Sequence, residues 1–173
     1  MRGGSNLDRL VETHLPAALR FARRLTGNAD AAEDLVGEAL LRVAERFATF
    51  RGDADFRTWL FRILINVFRD RLRHGSPATL SIEDEQLDPI DRHARTPAEA
   101  MAVSELSDRI AAEVARLPPR QREVLVLVTF EELTVSETST VLGVTEQNVH
   151  STLSAARARL KERLAPYLGF VER

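Results

Sequence analysis

The chain has no cysteine. That excludes disulfides, thiolate metal sites and a cysteine nucleophile, and it fits a reducing compartment. No stretch approaches the roughly 20 apolar residues of a membrane span, and the opening "MRGGSNLDRLVETHL" lacks the apolar centre of a signal peptide. The four histidines, His14, His74, His93 and His150, are scattered. They show no metal-ligand spacing, and neither a phosphate-cradling glycine loop nor a nucleophile motif accompanies them. The acids of "SIEDEQLDPID" do not have EF-hand spacing. Strand alternation and internal repeats are also missing. These absences argue against an enzyme, leave no cofactor or metal to expect, and point to a cytoplasmic protein with no membrane insertion.

What is present is helical. An apolar fraction of 44% suffices for packed cores. Residues 1–74 carry 13 arginines against 10 acids, residues 75–116 carry 4 against 9, and residues 117–173 balance 7 against 7. The basic, acidic and neutral thirds suggest parts that face different partners, although solvated surface explains such asymmetry equally well. "LDRLVETHLPAALRFARRLTG" has helical spacing, with Pro16 expected to split it in two and Gly27 to stop it. Asn28 or Asp30 can cap "AAEDLVGEALLRVAERF", and Asp55 can cap "FRTWLFRILINVFRDRLR" after the loop "ATFRGDAD". Residues 74–97 hold glycine, prolines and acids without periodicity, as a linker does. Beyond them "AEAMAVSELSDRIAAEVARL" and "PPRQREVLVLVTFEEL" read as helices, the second with proline at its start. The β-favouring Val124–Val128 run lies inside that helical pattern. The expected fold is all-α: two small helical domains, residues 1–75 and 98–173, joined by a flexible acidic linker over 76–97.

Two segments carry chemistry. "SETSTVLGVTEQNVHSTLSAARARL" has helix-turn-helix spacing: Thr134 or Ser136 caps a short helix, Gly143 turns, and Thr145 caps a second helix anchored by Val149 and Leu153. In such a motif the start of the second helix enters the major groove. Glu146, Gln147, Asn148, His150, Ser151, Thr152 and Ser154 are then exposed candidates. Gln147 and Asn148 can read base edges, and Arg157 can hold phosphate. An ordinary helix pair is the competing reading.

The other segment is a helix with two characters. Phe56, Trp59, Leu60, Ile63, Leu64 and Val67 share one apolar face, which makes Trp59 a core residue before it is a base-stacking platform. Arg62, Asn66, Arg69 and Arg73 fall at i, i+4, i+7 and i+11, a row about 16 Å long at about 1.5 Å per residue. Arg71 lies near the apolar edge, where it can snorkel. The row suits a phosphate backbone, although alone it reads more simply as solvated surface.

Taken together, "AEDLVGEALLRV", "FRGDADFRTWLFRILINVFRDRLR", an acidic linker, "LPPRQREVLVL" and the helix-turn-helix resemble, in that order, the extracytoplasmic-function (ECF) sigma factors of bacterial RNA polymerase, over about Leu7 to Leu168. The resemblance implies a σ2-like domain at 1–75 and a σ4-like domain at 98–173. It implies that Asp34, Leu35, Val36 and Glu38 dock on the β′ clamp helices of the polymerase core, with a further contact to the β flap. Phe50, Arg51, Gly52, Asp53, Arg57, Arg62, Asn66, Arg69 and Arg73 would bind and help melt the −10 element. The second helix-turn-helix helix would read the −35 element. An anti-sigma factor would cover both DNA surfaces and could hold the chain at the membrane.

Several positions depart from the family pattern. Gly37 stands where glutamine is usual, Thr138 replaces an apolar residue, and Val128, His150, Thr152 and Ala155 fall where arginine or lysine is common. Recognition of the −35 element is therefore expected to be weak, to use polar contacts, or to need another protein. Two alternatives remain: a degenerate sigma-like protein that binds polymerase or an anti-sigma factor without initiating, and a conventional helix-turn-helix regulator.

Overall fold

The computed structural model describes residues 3–52, 55–75 and 97–168. Asp53 and nearly all of the expected linker lie outside the described residues. Helix α1 runs over Gly3–Thr26, α2 over Ala29–Arg46 and α3 over Phe56–Arg73, with a single 3-10 turn at Phe47–Thr49. These form a first lobe. A second lobe contains α4 (Pro97–Ala115), α5 (Pro119–Leu125), a π turn (Val126–Phe130), α6 (Val135–Leu142) and α7 (Glu146–Leu168). Among the described residues there is no strand, and no helix is long and apolar enough to cross a membrane.

Pro16 does not divide α1, contrary to expectation; it sits inside one continuous helix. The ring is exposed, so the carbonyl deprived of an amide partner can turn to water, while Ala18, Phe21, Ala22 and Leu25 bury the other side and hold the helix together. Gly27 ends α1 in the left-handed region (φ 71°) and lies so close to α4 that a β-carbon there would come 2.9 Å from the Ala115 Cβ. Asn28 Oδ1 accepts from the Ala31 amide at 2.8 Å and caps α2, so Asp30 is left as a first-turn acid. Asp55 occupies the cap position of α3 but makes no side-chain cap hydrogen bond; its exposure leaves the first amides to water. In the second lobe Thr134 forms a capping box with Glu137, whose carboxylate takes the Thr134 hydroxyl and amide at 2.7 and 2.8 Å and is thereby held below the usual carboxylate pKa.

Helix α3 is buried more widely than one apolar face. Phe61, Ile65 and Phe68 are as enclosed as Leu60, Ile63, Leu64 and Val67, because α1, α2 and α6 pack around the same helix. Trp59 is half-buried in an aromatic group with Phe47, Phe50 and Phe56, in keeping with a core role. The β-favouring run ends differently from the long helix expected of it. Val124 and Leu125 finish α5, and Val126–Phe130 widens into the π turn, closed by the Glu131 amide on the Val126 carbonyl at 3.0 Å. Glu132 follows with φ 55°, which turns the chain away.

The two lobes are not held apart. One apolar cluster runs from Ala18, Phe21 and Leu64 in the first lobe to Val124, Leu127 and Val149 in the second. Arg122, buried at the junction, donates to the Leu25 carbonyl of α1 and to the Ala115 and Leu117 carbonyls of its own lobe. Burial pulls its pKa below the ordinary guanidinium value, with Glu123 opposing the shift.

Candidate nucleic-acid interface

On α2 the DLVGE segment divides by burial. Leu35 and Val36 point into the core and offer no side chain to a partner, a correction to their assignment as polymerase contacts; they hold α2 in place. Asp34 is exposed and Glu38 half-exposed, and the same side of the helix carries Gly37 and Leu41, the latter 68% exposed. Beyond the local backbone and the adjoining residues, nothing lies within 4 Å of the position a Gly37 β-carbon would take, so this face is smooth at its centre. Glu38 is also fixed from behind. It accepts from Arg42 at 2.8 Å and from Arg71 at 3.0 Å, while Arg71 reaches the Asp34 carbonyl at 2.8 Å. Arg71 thus ties α3 to α2 rather than lying along the apolar edge. Arg42 bridges onward to Asp70 at 2.8 Å, and hydrogen bonds from Arg42 and then Arg73 hold the Asp70 carboxyl below its usual pKa.

The loop and α3 carry the other expected contacts. Phe50 packs on Trp59, ring centroids 5.0 Å apart, and edge-on against Phe56 at 5.7 Å. Arg51 and Gly52 are exposed, and Gly52 takes φ 75°. Arg62, Asn66 and Arg73 line the outer side of α3, where a solvated row is what the helical period requires.

Two members of the set are not free to solvent. Arg69 makes a two-pronged contact with Glu123 of α5, Nε donating at 3.0 Å and Nη2 at 2.7 Å. Arg57 donates at 2.9 Å to both the carboxylate and the carbonyl of Glu131, which also takes Arg24 at 3.1 Å. Arg69 therefore faces the second lobe, a correction to the picture of an open row of Arg62, Asn66, Arg69 and Arg73, and Arg57, a candidate outside that row, faces it too. A shallow cleft of about 490 Å³ at the seam is lined by Asn66, Arg69, Arg73, Arg120 and Glu123. Glu123 and Glu131 were not among the candidates. Their one sequence signal is an acid just before, and another just after, the apolar run Val124–Phe130.

In the second lobe Gly143 adopts the left-handed turn (φ 66°) and the Asn148 amide donates to Thr145 Oγ1 at 3.2 Å, so the helix-turn-helix has the expected punctuation. Val149, Leu153 and Ala156 face inward. Glu146, Gln147, Asn148, His150, Ser151, Ser154 and Arg157 are exposed and Thr152 is half-exposed, a continuous polar surface at the start of α7. Thr138 is fully buried and its hydroxyl has no hydrogen-bond partner. Thr138→Val keeps the shape and removes the orphan. It should raise stability by about 1 kcal/mol, or roughly 2–4 °C in melting temperature for a chain of this size, without changing DNA affinity; a lower melting point would argue that the hydroxyl is satisfied.

An exposed polar and basic row on a central helix and a helix-turn-helix with an exposed second helix characterise a two-lobed, helical protein. Comparison gives the family. Residues 10–77 match Sigma-70 region 2 and residues 107–160 match Sigma-70 region 4. The ECF RNA polymerase sigma factor SigM of Mycobacterium tuberculosis is 33% identical over 161 residues, which is 93% of this chain and 78% of that protein. The factor SigE of Mycolicibacterium smegmatis is 31% identical over 160 residues, 92% of this chain; the chain spans 62% of that relative's length. Among solved structures, the sigma factor RpoE bound to the anti-sigma factor NepR, from Bartonella quintana, superposes with a TM-score of 0.72 at 25% identity, covering 97% of this chain and 99% of that one. CnrH in complex with the cytosolic domain of CnrY gives 0.66 at 25% identity, covering 95% and 91%. The chain belongs to the ECF family of RNA polymerase sigma factors.

Proposed function

We propose that this chain binds core RNA polymerase, directs it to promoters and helps to melt the −10 element, with no covalent chemistry of its own. The outer face of α2, with Asp34, Glu38 and Leu41, is the polymerase-docking face. The row of Arg62, Asn66, Arg69 and Arg73, with Arg57 and the loop residues Phe50, Arg51 and Gly52, is the track for the melted strand, to which the sequence adds Asp53. Single-stranded DNA needs cations along its backbone and sequence-tolerant contacts to its bases, which such a row supplies. The polar start of α7, from Glu146 to Arg157, reads the −35 duplex, with few cations and hence a shallow salt dependence. The observation that carries this reading is the exposure of Arg62 and Asn66 on a helix whose other sides are packed against α1, α2 and α6.

RpoE and CnrH are both seen with partners, NepR and the cytosolic domain of CnrY. By that likeness an anti-sigma factor regulates this chain in the cytoplasm, or at the membrane if the partner is anchored there. Matches to both sigma regions in order favour an initiation factor over a conventional helix-turn-helix regulator.

The test is transcription with core enzyme from the chain's own source. Arg62→Ala with Asn66→Ala should leave core binding intact and cut open-complex formation, read by permanganate reactivity, at least tenfold. Both side chains are exposed, so folding should be unaffected. Undiminished melting by the double variant would sink the strand-track assignment.

A further inference from the structure

We propose that the cleft between α3 and α5 is a binding site for a nucleoside phosphate, whose base lies against the hydrocarbon of the cleft and whose phosphates lie between Arg73 and Arg120; this goes beyond promoter recognition and does not rest on it. The cleft volume of about 490 Å³ falls within the roughly 300–1,000 Å³ of small-molecule sites. Its lining is mostly hydrocarbon, with Leu72 contributed by α3 and Pro119 by α5. The polar groups also come from both sides: Asn66, Arg69, Asp70 and Arg73 from α3, Arg120 and Glu123 from α5. A few polar groups converging on an apolar surface is the usual make-up of a small-molecule site.

Charge decides the class of ligand. Three arginines line the cleft against two acids, and both acids are already neutralised. Glu123, its side chain 2% exposed, gives its two oxygens to the Arg69 fork. Asp70 accepts from Arg42 through one oxygen and from Arg73 through the other. Neither carboxylate is left to hold a cation, and neither repels an anion as a bare one would. Arg73 and Arg120 keep donors in reserve. Arg73 is 73% exposed and uses one Nη on Asp70, whereas Arg120 is 43% exposed and stays 3.8 Å from Glu123, beyond hydrogen-bonding distance. A guanidinium fork fits a phosphate as well as it fits a carboxylate. Phosphates can therefore take Arg120 from one side and Arg73 from the other without breaking the more deeply buried Arg69–Glu123 pair. An inorganic anion would leave the hydrocarbon wet, whereas a base covers it, and the exposed Asn66 amide can donate to and accept from a base edge.

Isothermal titration of the full chain with ADP as the probe should show one saturable site. Arg73→Gln with Arg120→Gln should weaken it by about tenfold or more, as the loss of charge-assisted hydrogen bonds predicts. Both side chains are exposed, so helicity by circular dichroism should be kept. Arg46→Gln with Arg159→Gln, an equal loss of exposed charge away from the cleft, should change ADP affinity by less than about twofold, as screened surface charges do. Adenosine alone and pyrophosphate alone should each bind more weakly than ADP. In the parent chain, ADP should shift the backbone amide signals of Leu72 and Arg120. No saturable ADP binding, equal weakening by the two pairs of substitutions, or amide shifts confined to other parts of the chain would each overturn the site. Pyrophosphate binding as tightly as ADP would overturn the assignment of a nucleoside to the hydrocarbon wall.

Discussion

Leu41→Glu should weaken binding to core RNA polymerase by about 2 kcal/mol or more, roughly thirtyfold or greater in dissociation constant, while leaving the fold intact. Leu41 and Tyr167 are the large apolar side chains left exposed among the described residues, and Leu41 lies on the side of α2 that carries Asp34, Gly37 and Glu38. An isolated exposed leucine means little. This one sits beside a glutamate pinned by two arginines, on a face with no side chain at its centre. That combination gives a flat, preorganised surface with one apolar anchor, which is how a helix docks on another helix. Because the side chain packs against little, the change in melting temperature should be within about 0.5 kcal/mol equivalent. Fluorescence anisotropy of labelled chain titrated with core enzyme checks it, and unaltered affinity would move the docking face elsewhere on the first lobe.

The second large effect is on stability. Phe61→Ala should cost about 3–5 kcal/mol, a large share of the roughly 5–15 kcal/mol that holds a typical domain folded. Phe61 is fully buried at the centre of α3, stacked on Phe21 with centroids 4.5 Å apart, and lies beneath the Arg57 guanidinium. Truncation leaves a cavity where α1 meets α3 and removes the ring under Arg57, so packing within the first lobe and the grip on Glu131 weaken together. A drop of about 10 °C or more in melting temperature is expected, with Phe61→Leu losing much less. A melting point within 2 °C of the parent chain would show that this position is not the centre of the core.

Much of this architecture was legible in the chain itself, for identifiable reasons. Caps and stops are local chemistry, so Thr145, Gly27 and Gly143 could be read directly, and one of each pair of cap candidates, Asn28 rather than Asp30 and Thr134 rather than Ser136, takes the cap position. The helical period separated Arg62 and Asn66 from Leu60 and Leu64 for the same reason. What the sequence concealed is long-range. Nothing local says that Ile65 and Phe68 are covered as fully as Leu64, since that depends on α3 sitting among three other helices. Nor does a wheel reveal that Arg69 meets a carboxylate 54 residues away or that Arg57 meets one 74 residues away. Pro16 misled because a ring on the solvent side of a well-packed helix interrupts a hydrogen bond without interrupting the helix. Leu35 and Val36 misled because a motif names a segment, whereas burial decides which of its side chains a partner can touch.

The core shared by the two lobes has a thermal consequence. Hydrocarbon from both halves meets at the seam beside the ion pairs. Separating the lobes wets that hydrocarbon, and wetting apolar surface raises the heat capacity. The balance between joined and parted lobes is therefore a curved function of temperature rather than a straight one. Cooling weakens the apolar share of the seam, whereas warming lowers the cost of stripping water from the charges. The arginine–glutamate contacts and the apolar contacts thus respond to temperature in different ways, and the seam is a thermometer as well as a joint.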